Sequence, residues 1–276
     1  MAVYDGIQAV NENMLAIAKI GAMAALRAPV MANTKIRTAI ITGEDMLPLI
    51  EIAGIIGEVS TFVYGDHVVA KKAYEAGTPI VELLIGVDAT VSDLNWNCGA
   101  CGFDTCSEFN RYAKENKSKG AFFVGPSCQW KILDNGMAVT QAAAAISATG
   151  AECRLQADYG GFALDLGHLE GCSLCIGISM GPYGESVWFN RTALKDSFDM
   201  AEHDLFMKNT LPQMFLAFVG GGFPMVKHGS NWGQDPKFFQ TVGPSPEMGA
   251  KQQEIGRRIG EVIAREKAKK AGKKEE

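Results

Sequence analysis

Four cysteines carry the chemistry that this sequence offers. Cys98, Cys101 and Cys106 fall in the run Asn97-Cys-Gly-Ala-Cys-Gly-Phe-Asp-Thr-Cys106, and Cys128 ends a later Gly125-Pro-Ser-Cys128, a C-x2-C-x4-C-x21-C spacing. Three sulfurs from one tight loop and a fourth from a separate segment can take the four corners of an iron–sulfur cubane, which needs one thiolate per iron. Gly99 and Gly102 lack a Cβ, so the loop between the thiols can take left-handed angles and turn backbone N–H groups toward an anion. Thr105 reads as the start of a helix through Ser107, Glu108, Phe109 and Tyr112, whose positive end would lie beside the same group. Pro126 stiffens the approach of the last cysteine. Full ligation by four cysteines leaves no iron open, which points to electron transfer rather than Lewis-acid catalysis. The levers on potential would be the Gly99–Gly102 amides, the helix start at Thr105 and burial by Trp96, Phe103 and Phe109.

Other uses of cysteine fit less well. Structural zinc usually takes two short Cys-x-x-Cys knuckles, or Cys with His, and no second knuckle accompanies Cys128. Seven cysteines in 276 residues, with Asp5 and Glu12 in place of a basic-then-apolar leader, fit a reducing cytoplasm better than a disulfide framework.

The cysteine motifs, taken with Ile176-Gly-Ile-Ser-Met180 and Phe189-Asn-Arg191, resemble an uncharacterised ferredoxin-domain family of anaerobic bacteria and archaea, over roughly Met14 to Arg191. The first motif is also similar to the iron–sulfur loop of corrinoid iron–sulfur proteins. The resemblance implies a [4Fe–4S] cluster on Cys98, Cys101, Cys106 and Cys128 and supplies no substrate. It implies other residue types at Cys153, Cys172 and Cys175, and the chain after about Thr192 lies outside it.

Composition narrows the partners. The net charge of −5 hides a basic C-terminal end, +4 from Gly249 to Glu276, so the preceding body carries −9 and is ill suited to nucleic acid. No stretch reaches the ~18 uninterrupted apolar residues of a membrane span, because Lys19 and Arg27 break Met14–Met31 and Glu51 breaks Leu47–Val59. With 47% hydrophobic residues the chain can bury a substantial core.

The elements that must position the cysteines alternate along the chain. The periodicity predicts a helix over Asp5–Leu26, a strand over Arg37–Thr42, helices from about Glu44 and over Asp66–Ala76, and buried strands at Pro79–Val87, Ala121–Val124 and Cys172–Met180. A helix with four consecutive alanines is predicted over Gly136–Thr149. The result is an α/β fold, a mixed α+β layered sandwich with an inserted ferredoxin-like cluster loop at residues 96–130. The body is expected over residues 1–194 and a C-terminal extension over 195–276.

A second, fainter resemblance, carried by Ala24-Ala-Leu-Arg-Ala-Pro29 and by Cys175-Ile-Gly-Ile-Ser-Met180, is to the nitroreductase-like fold, an α+β sandwich dimer holding FMN at its interface. The paired arginines that usually hold the flavin phosphate are missing, so FMN is an alternative and not an expectation.

Of the remaining motifs, Cys172-x-x-Cys175 reads as two small residues of a strand pointing to opposite faces, ahead of a redox dithiol or a second ligand set with Cys153. His67, His168, His203 and His228 form no ligand spacing, and Gly220-Gly-Gly-Phe-Pro224 and Gly229-Ser-Asn-Trp-Gly233 lack the context of a phosphate loop. Phe223, Trp232, Phe238 and Phe239 lie in loops that could cover a partner or wrap the body. Ile255, Ile259 and Val262 mark the apolar stripe of a terminal helix before a Lys-rich disordered end. The reading is a cytoplasmic iron–sulfur protein relaying electrons to or from a redox partner protein, as a homodimer or part of a hetero-complex. The alternatives are a flavin-linked iron–sulfur oxidoreductase and a non-catalytic subunit with a structural metal.

Overall fold

Asp5 sets the first helix. Its carboxylate accepts the Gln8 N–H at 2.9 Å and caps α1 (Gly6–Leu26). The computed structural model describes residues 3, 5–120, 122–181 and 246–272. Strand β1 (Arg37–Thr42) follows as expected, then a 3-10 turn (Gly43–Met46) and α2 (Leu47–Gly57), with Pro48 in the tolerant first turn. Helix α3 (Thr61–Glu75) starts at a Ser60 cap, ahead of the expected Asp66. The chain continues through β2 (Val81–Val87), α4 (Cys106–Asn116), β3 (Ser118–Lys119), β4 (Val124–Gly125), α5 (Gln129–Ser147), β5 (Cys153–Gln156), α6 (Ala157–Asp165), β6 (Leu174–Met180) and α7 (Pro246–Gly272).

The main sheet runs β1-β2-β6-β5 with every neighbouring pair antiparallel. Strand β2 is buried along its whole length because helices cover both faces. On one face Met14, Ala18 and Ala25 of α1 and Ala138, Ala142 and Ile146 of α5 pack against Val81, Leu83, Ile85, Ile178 and Met180. The small residues of the two helices let them approach each other closely. On the other face Leu49 and Ile52 of α2, Val69 of α3 and Tyr159 and Phe162 of α6 meet Ile41, Leu84 and Cys175. Ile255 and Val262 of α7 join that second core, with Ile259 packed against it, as their spacing predicts. Among the described residues no helix is long and apolar enough to cross a membrane.

Two expectations change. The segment read as a buried strand at Ala121–Val124 contributes only β4, half-buried and paired with β3 in a separate two-stranded sheet. Val124 N–H donates to Ser173 O, so this segment is tied to the start of β6 without joining the main sheet. The Lys-rich end is helical through Gly272. Lys269 pairs with Glu266 at 2.8 Å, and Lys270 donates to the Leu166 carbonyl at the C-terminal end of α6, a group that the helix leaves unpaired. The body boundary at 194/195, the aromatic loops with Phe223, Trp232, Phe238 and Phe239, both glycine motifs, His203 and His228 lie outside the described residues.

The face under α6 holds a buried polar group. Glu82 of β2 is fully buried opposite Ser179 of β6, whose hydroxyl bridges the Glu82 carboxylate and the Gln156 side chain. Asp158, Tyr159 and Asp66 are buried around it, and Arg154 pairs with Asp66 at 3.0 Å. Gly177 makes room for this group, because a Cβ there would meet Glu82 Oε1 at 1.9 Å. Gly177→Ala is therefore expected to cost about 2–3 kcal/mol by overpacking. Gly136→Ala, where a Cβ faces open space in the middle of α5, should instead gain about 1 kcal/mol. Urea unfolding midpoints of the two variants give the comparison, and equal midpoints would refute it.

Candidate metal centre

The cysteine-bearing loop leaves the sheet at the end of β2 and returns through Cys128 to α5. Two bonds fix both ends of the excursion: Ala89 N–H donates to Ser173 Oγ at 2.8 Å, and Cys128 N–H donates to the Ala89 carbonyl at 2.7 Å. Asn110 of α4 clamps Ser92, accepting its N–H and donating to its carbonyl, both at 2.7 Å. Lys131 Nζ reaches Asp93 at 2.9 Å, and the pairing holds the Asp93 carboxyl below its ordinary value.

The loop itself has the predicted glycine conformation. Gly99 and Gly102 stand at φ of 72° and 86° with no neighbour within 4 Å of a Cβ, so their backbone angles, and not space, call for glycine. Asn97 also lies at positive φ, and its side-chain Oδ1 accepts the Cys106 N–H at 2.9 Å. Thr105 and Glu108 form a capping box, each side chain accepting the other's N–H at 3.1 Å.

All four cysteines line one pocket, with Ser92, Trp96, Phe103 and Trp130 among its walls. Cys106 is the first residue of α4 and Cys128 is the N-cap of α5, so two helix N-termini face it. The sequence predicts only the first of these, since α5 was expected from Gly136. Exposure is graded around the pocket: Cys98 is exposed, Cys101 and Cys106 are half-buried, and Cys128 is buried. Phe109 is fully buried behind Cys128, and Phe103 packs on it with ring centroids 5.9 Å apart. Trp96 is 50% exposed, less of a cover than its sequence position suggests, and meets Trp130 edge-on at 5.6 Å.

The electrostatics of the pocket favour anions. The Ser92 hydroxyl is the largest influence lowering the Cys106 thiol, followed by the backbone N–H groups of Asn97, Trp96 and Asn95, with burial opposing them. Trp130 Nε1 is buried without a hydrogen-bond partner, and Ser92 Oγ is buried beside the Cys106 sulfur with no oxygen or nitrogen partner. Among the described residues no three His, Cys, Asp or Glu side chains stand together as a site for a single metal ion.

The other three cysteines do not meet at one site. Cys153 packs on the α1 and α5 side of the sheet, its sulfur 3.8 Å from the Ala143 carbonyl, whereas Cys175 is buried on the opposite side. Cys172 departs from the expected strand alternation because β6 begins only at Leu174. A Cβ on Gly86, the register partner of Cys175, would lie 3.2 Å from the Cys172 sulfur, so both thiols sit on the α6 side. Burial raises both thiols above their ordinary value, which suits inert core residues. His67 Nδ1 bonds to the Ile50 carbonyl at 2.8 Å, and burial holds the ring's pKa below its ordinary value.

Comparison with known proteins adds a family. A family model described as an uncharacterized protein containing a ferredoxin domain (DUF2148) matches residues 124–191. An uncharacterized protein of Archaeoglobus fulgidus is 31% identical over 188 residues, which are 67% of this chain and 95% of the relative. The chain belongs to this ferredoxin-domain family. No solved structure matches it. The stretch matched by the ferredoxin-domain model contains Cys128, the N-terminus of α5 and β6, and begins after Cys98, Cys101 and Cys106.

The residues present fit an iron–sulfur group. The donor set is thiol only, one thiolate for each corner of a cubane. Two buried donors, Ser92 Oγ and Trp130 Nε1, and two helix N-termini face the pocket, an arrangement that suits an anionic group with acceptor atoms.

Proposed function

We propose that the chain carries one [4Fe–4S] cluster on Cys98, Cys101, Cys106 and Cys128 and passes single electrons to or from a partner protein in the cytoplasm. The observation that carries this reading is the meeting of all four cysteines in one pocket at the N-termini of α4 and α5. Membership in a ferredoxin-domain family supports it. When bound, the cluster supplies a one-electron couple.

The chain's own residues do the rest. The four thiolates hold the group, and their complete use leaves no ligand position for a substrate. The N–H groups of Asn97, Trp96 and Asn95 stabilise the Cys106 sulfur. Phe109 and Cys128 close the inner side to water, while exposed Cys98 opens the outer side. Trp96, Tyr112, Ile132 and Leu133 are exposed large apolar side chains on the loop, α4 and the first two turns of α5. They give a redox partner, or a second copy of the chain, an apolar face beside the cysteines.

The test is a potentiometric titration of anaerobically prepared protein followed by visible absorption and EPR. One electron per chain should bleach the brown absorption reversibly and give one paramagnetic species. A protein with full iron and sulfide that stays redox-silent would point to a structural role instead.

A further inference from the structure

Two polar side chains point into the cysteine pocket: Trp130 Nε1 is buried without a partner, and the buried Ser92 hydroxyl is directed at the Cys106 sulfur. An indole nitrogen can only donate, and a buried donor calls for an acceptor. Ser92 is 5% exposed, and its backbone is held from both sides by Asn110, which anchors the residue beside the pocket. Trp130 lies in the first turn of α5, two residues after Cys128, and its ring is fixed edge-on against Trp96. One donor thus stands on the Cys106 side of the pocket and the other on the Cys128 side.

We infer that the Ser92 hydroxyl and the Trp130 indole N–H donate hydrogen bonds to the sulfur atoms of the bound cluster and set its reduction potential. This rests on the four-cysteine reading above. Donors aimed at cluster sulfurs favour the more negative, reduced form, so both side chains raise the potential. They act as positioning and tuning residues, and neither is a ligand. The loop amides perform the same task from the backbone. What the two side chains add is a contribution that a single substitution can remove without touching a thiolate.

The experiment compares the wild-type protein with Ser92→Ala, Ser92→Thr and Trp130→Phe, each prepared anaerobically. Iron and sulfide are counted first, then midpoints are read by EPR-monitored titration, and exchangeable protons near the reduced cluster are read by electron–nuclear double resonance in H2O and D2O. Ser92→Ala and Trp130→Phe should keep their iron, shift to more negative midpoints and each lose one class of exchangeable coupling. Ser92→Thr, which restores a hydroxyl, should return the midpoint to the wild-type value. If Trp130→Phe loses iron, wild-type protein labelled with 15N in the indole decides, since absence of a coupled indole N–H overturns that donor. A full cluster with unchanged midpoints and couplings in Ser92→Ala and Trp130→Phe overturns this inference alone. A wild-type chain that binds no iron and sulfide overturns the four-cysteine reading, and this inference with it.

Discussion

Cys128→Ser is expected to remove most of the iron and sulfide from anaerobically prepared protein, or to leave a labile three-iron species, with loss of the brown absorption. Cys128 joins the cysteine-bearing loop to α5: its backbone N–H is bonded to Ala89, and its side chain packs with Phe109 and Ala113. Loss of its thiolate removes a ligand together with whatever folding free energy the bound metal contributes. The segment between Cys106 and Cys128 should therefore loosen, read as faster amide exchange in α4. Cys153→Ser and Cys175→Ala should keep their iron, because the two thiols lie on opposite faces of the sheet away from the pocket. Cys175→Ala should cost about 1–3 kcal/mol in packing. A normal cluster in Cys128→Ser with iron lost from Cys153→Ser would mean that the fourth ligand lies elsewhere.

The stability contributed by two buried acids, Asp158 and Glu82, is expected to fall as the pH rises from about 4 to 8, the reverse of the usual carboxylate effect. Burial, then Asp66, raises the Asp158 carboxyl from 3.8 to about 7, and burial raises Glu82 well above its ordinary value. Both acids are therefore protonated in the folded chain at pH values where the unfolded chain has released their protons. The contribution is complete below the unfolded pKa near 4 and is lost as pH climbs through the folded values. For Asp158 the difference is worth on the order of 4 kcal/mol. The charged neighbours facing the pair are Asp66, which reinforces the effect, and Arg154, which opposes it at Asp158. Glu82→Gln keeps the shape and removes the titration, so its urea midpoint should vary less between pH 5 and pH 8 than that of the wild type. An identical pH dependence in the variant would refute this assignment.

How legible the fold was depended on whether local pattern and tertiary role agreed. Arg37–Thr42 and the apolar run ending at Val87 read directly as strands, and Thr105 with Glu108 announced the start of α4. The stripe of Ile255, Ile259 and Val262 likewise predicted which face of α7 would be buried. The start of α5 was hidden because its buried face opens with Lys131, Asp134 and Asn135 instead of apolar residues. Asp134 is buried there to accept the N–H groups of Met31 and Ala32, each at 2.8 Å, and the Thr34 hydroxyl at 2.5 Å, partners far away in sequence. Local periodicity carries no trace of such pairings. Strand alternation failed for Cys172 because the chain bends at Ser173, whose N–H donates to the Val87 carbonyl before β6 begins.

The site was legible in its thiols and illegible in its support. Spacing and glycines singled out Cys98, Cys101, Cys106 and Cys128, which the fold brings to one pocket, with Gly99 and Gly102 at the expected positive φ. Ser92 and Trp130 carry no such signal. Each is an ordinary residue type that reaches the pocket through the Asn110 clamp or the turn of α5. Trp130 stands close to Cys128 in sequence, whereas Ser92 is brought to the pocket only by the fold.

The central claim is tested most directly by counting iron and acid-labile sulfide in protein purified anaerobically and recording the Mössbauer spectrum of an 57Fe-enriched sample. A single cubane on four cysteines predicts about four irons and four sulfides per chain in one cluster signal. Stoichiometric zinc with no acid-labile sulfide would contradict it.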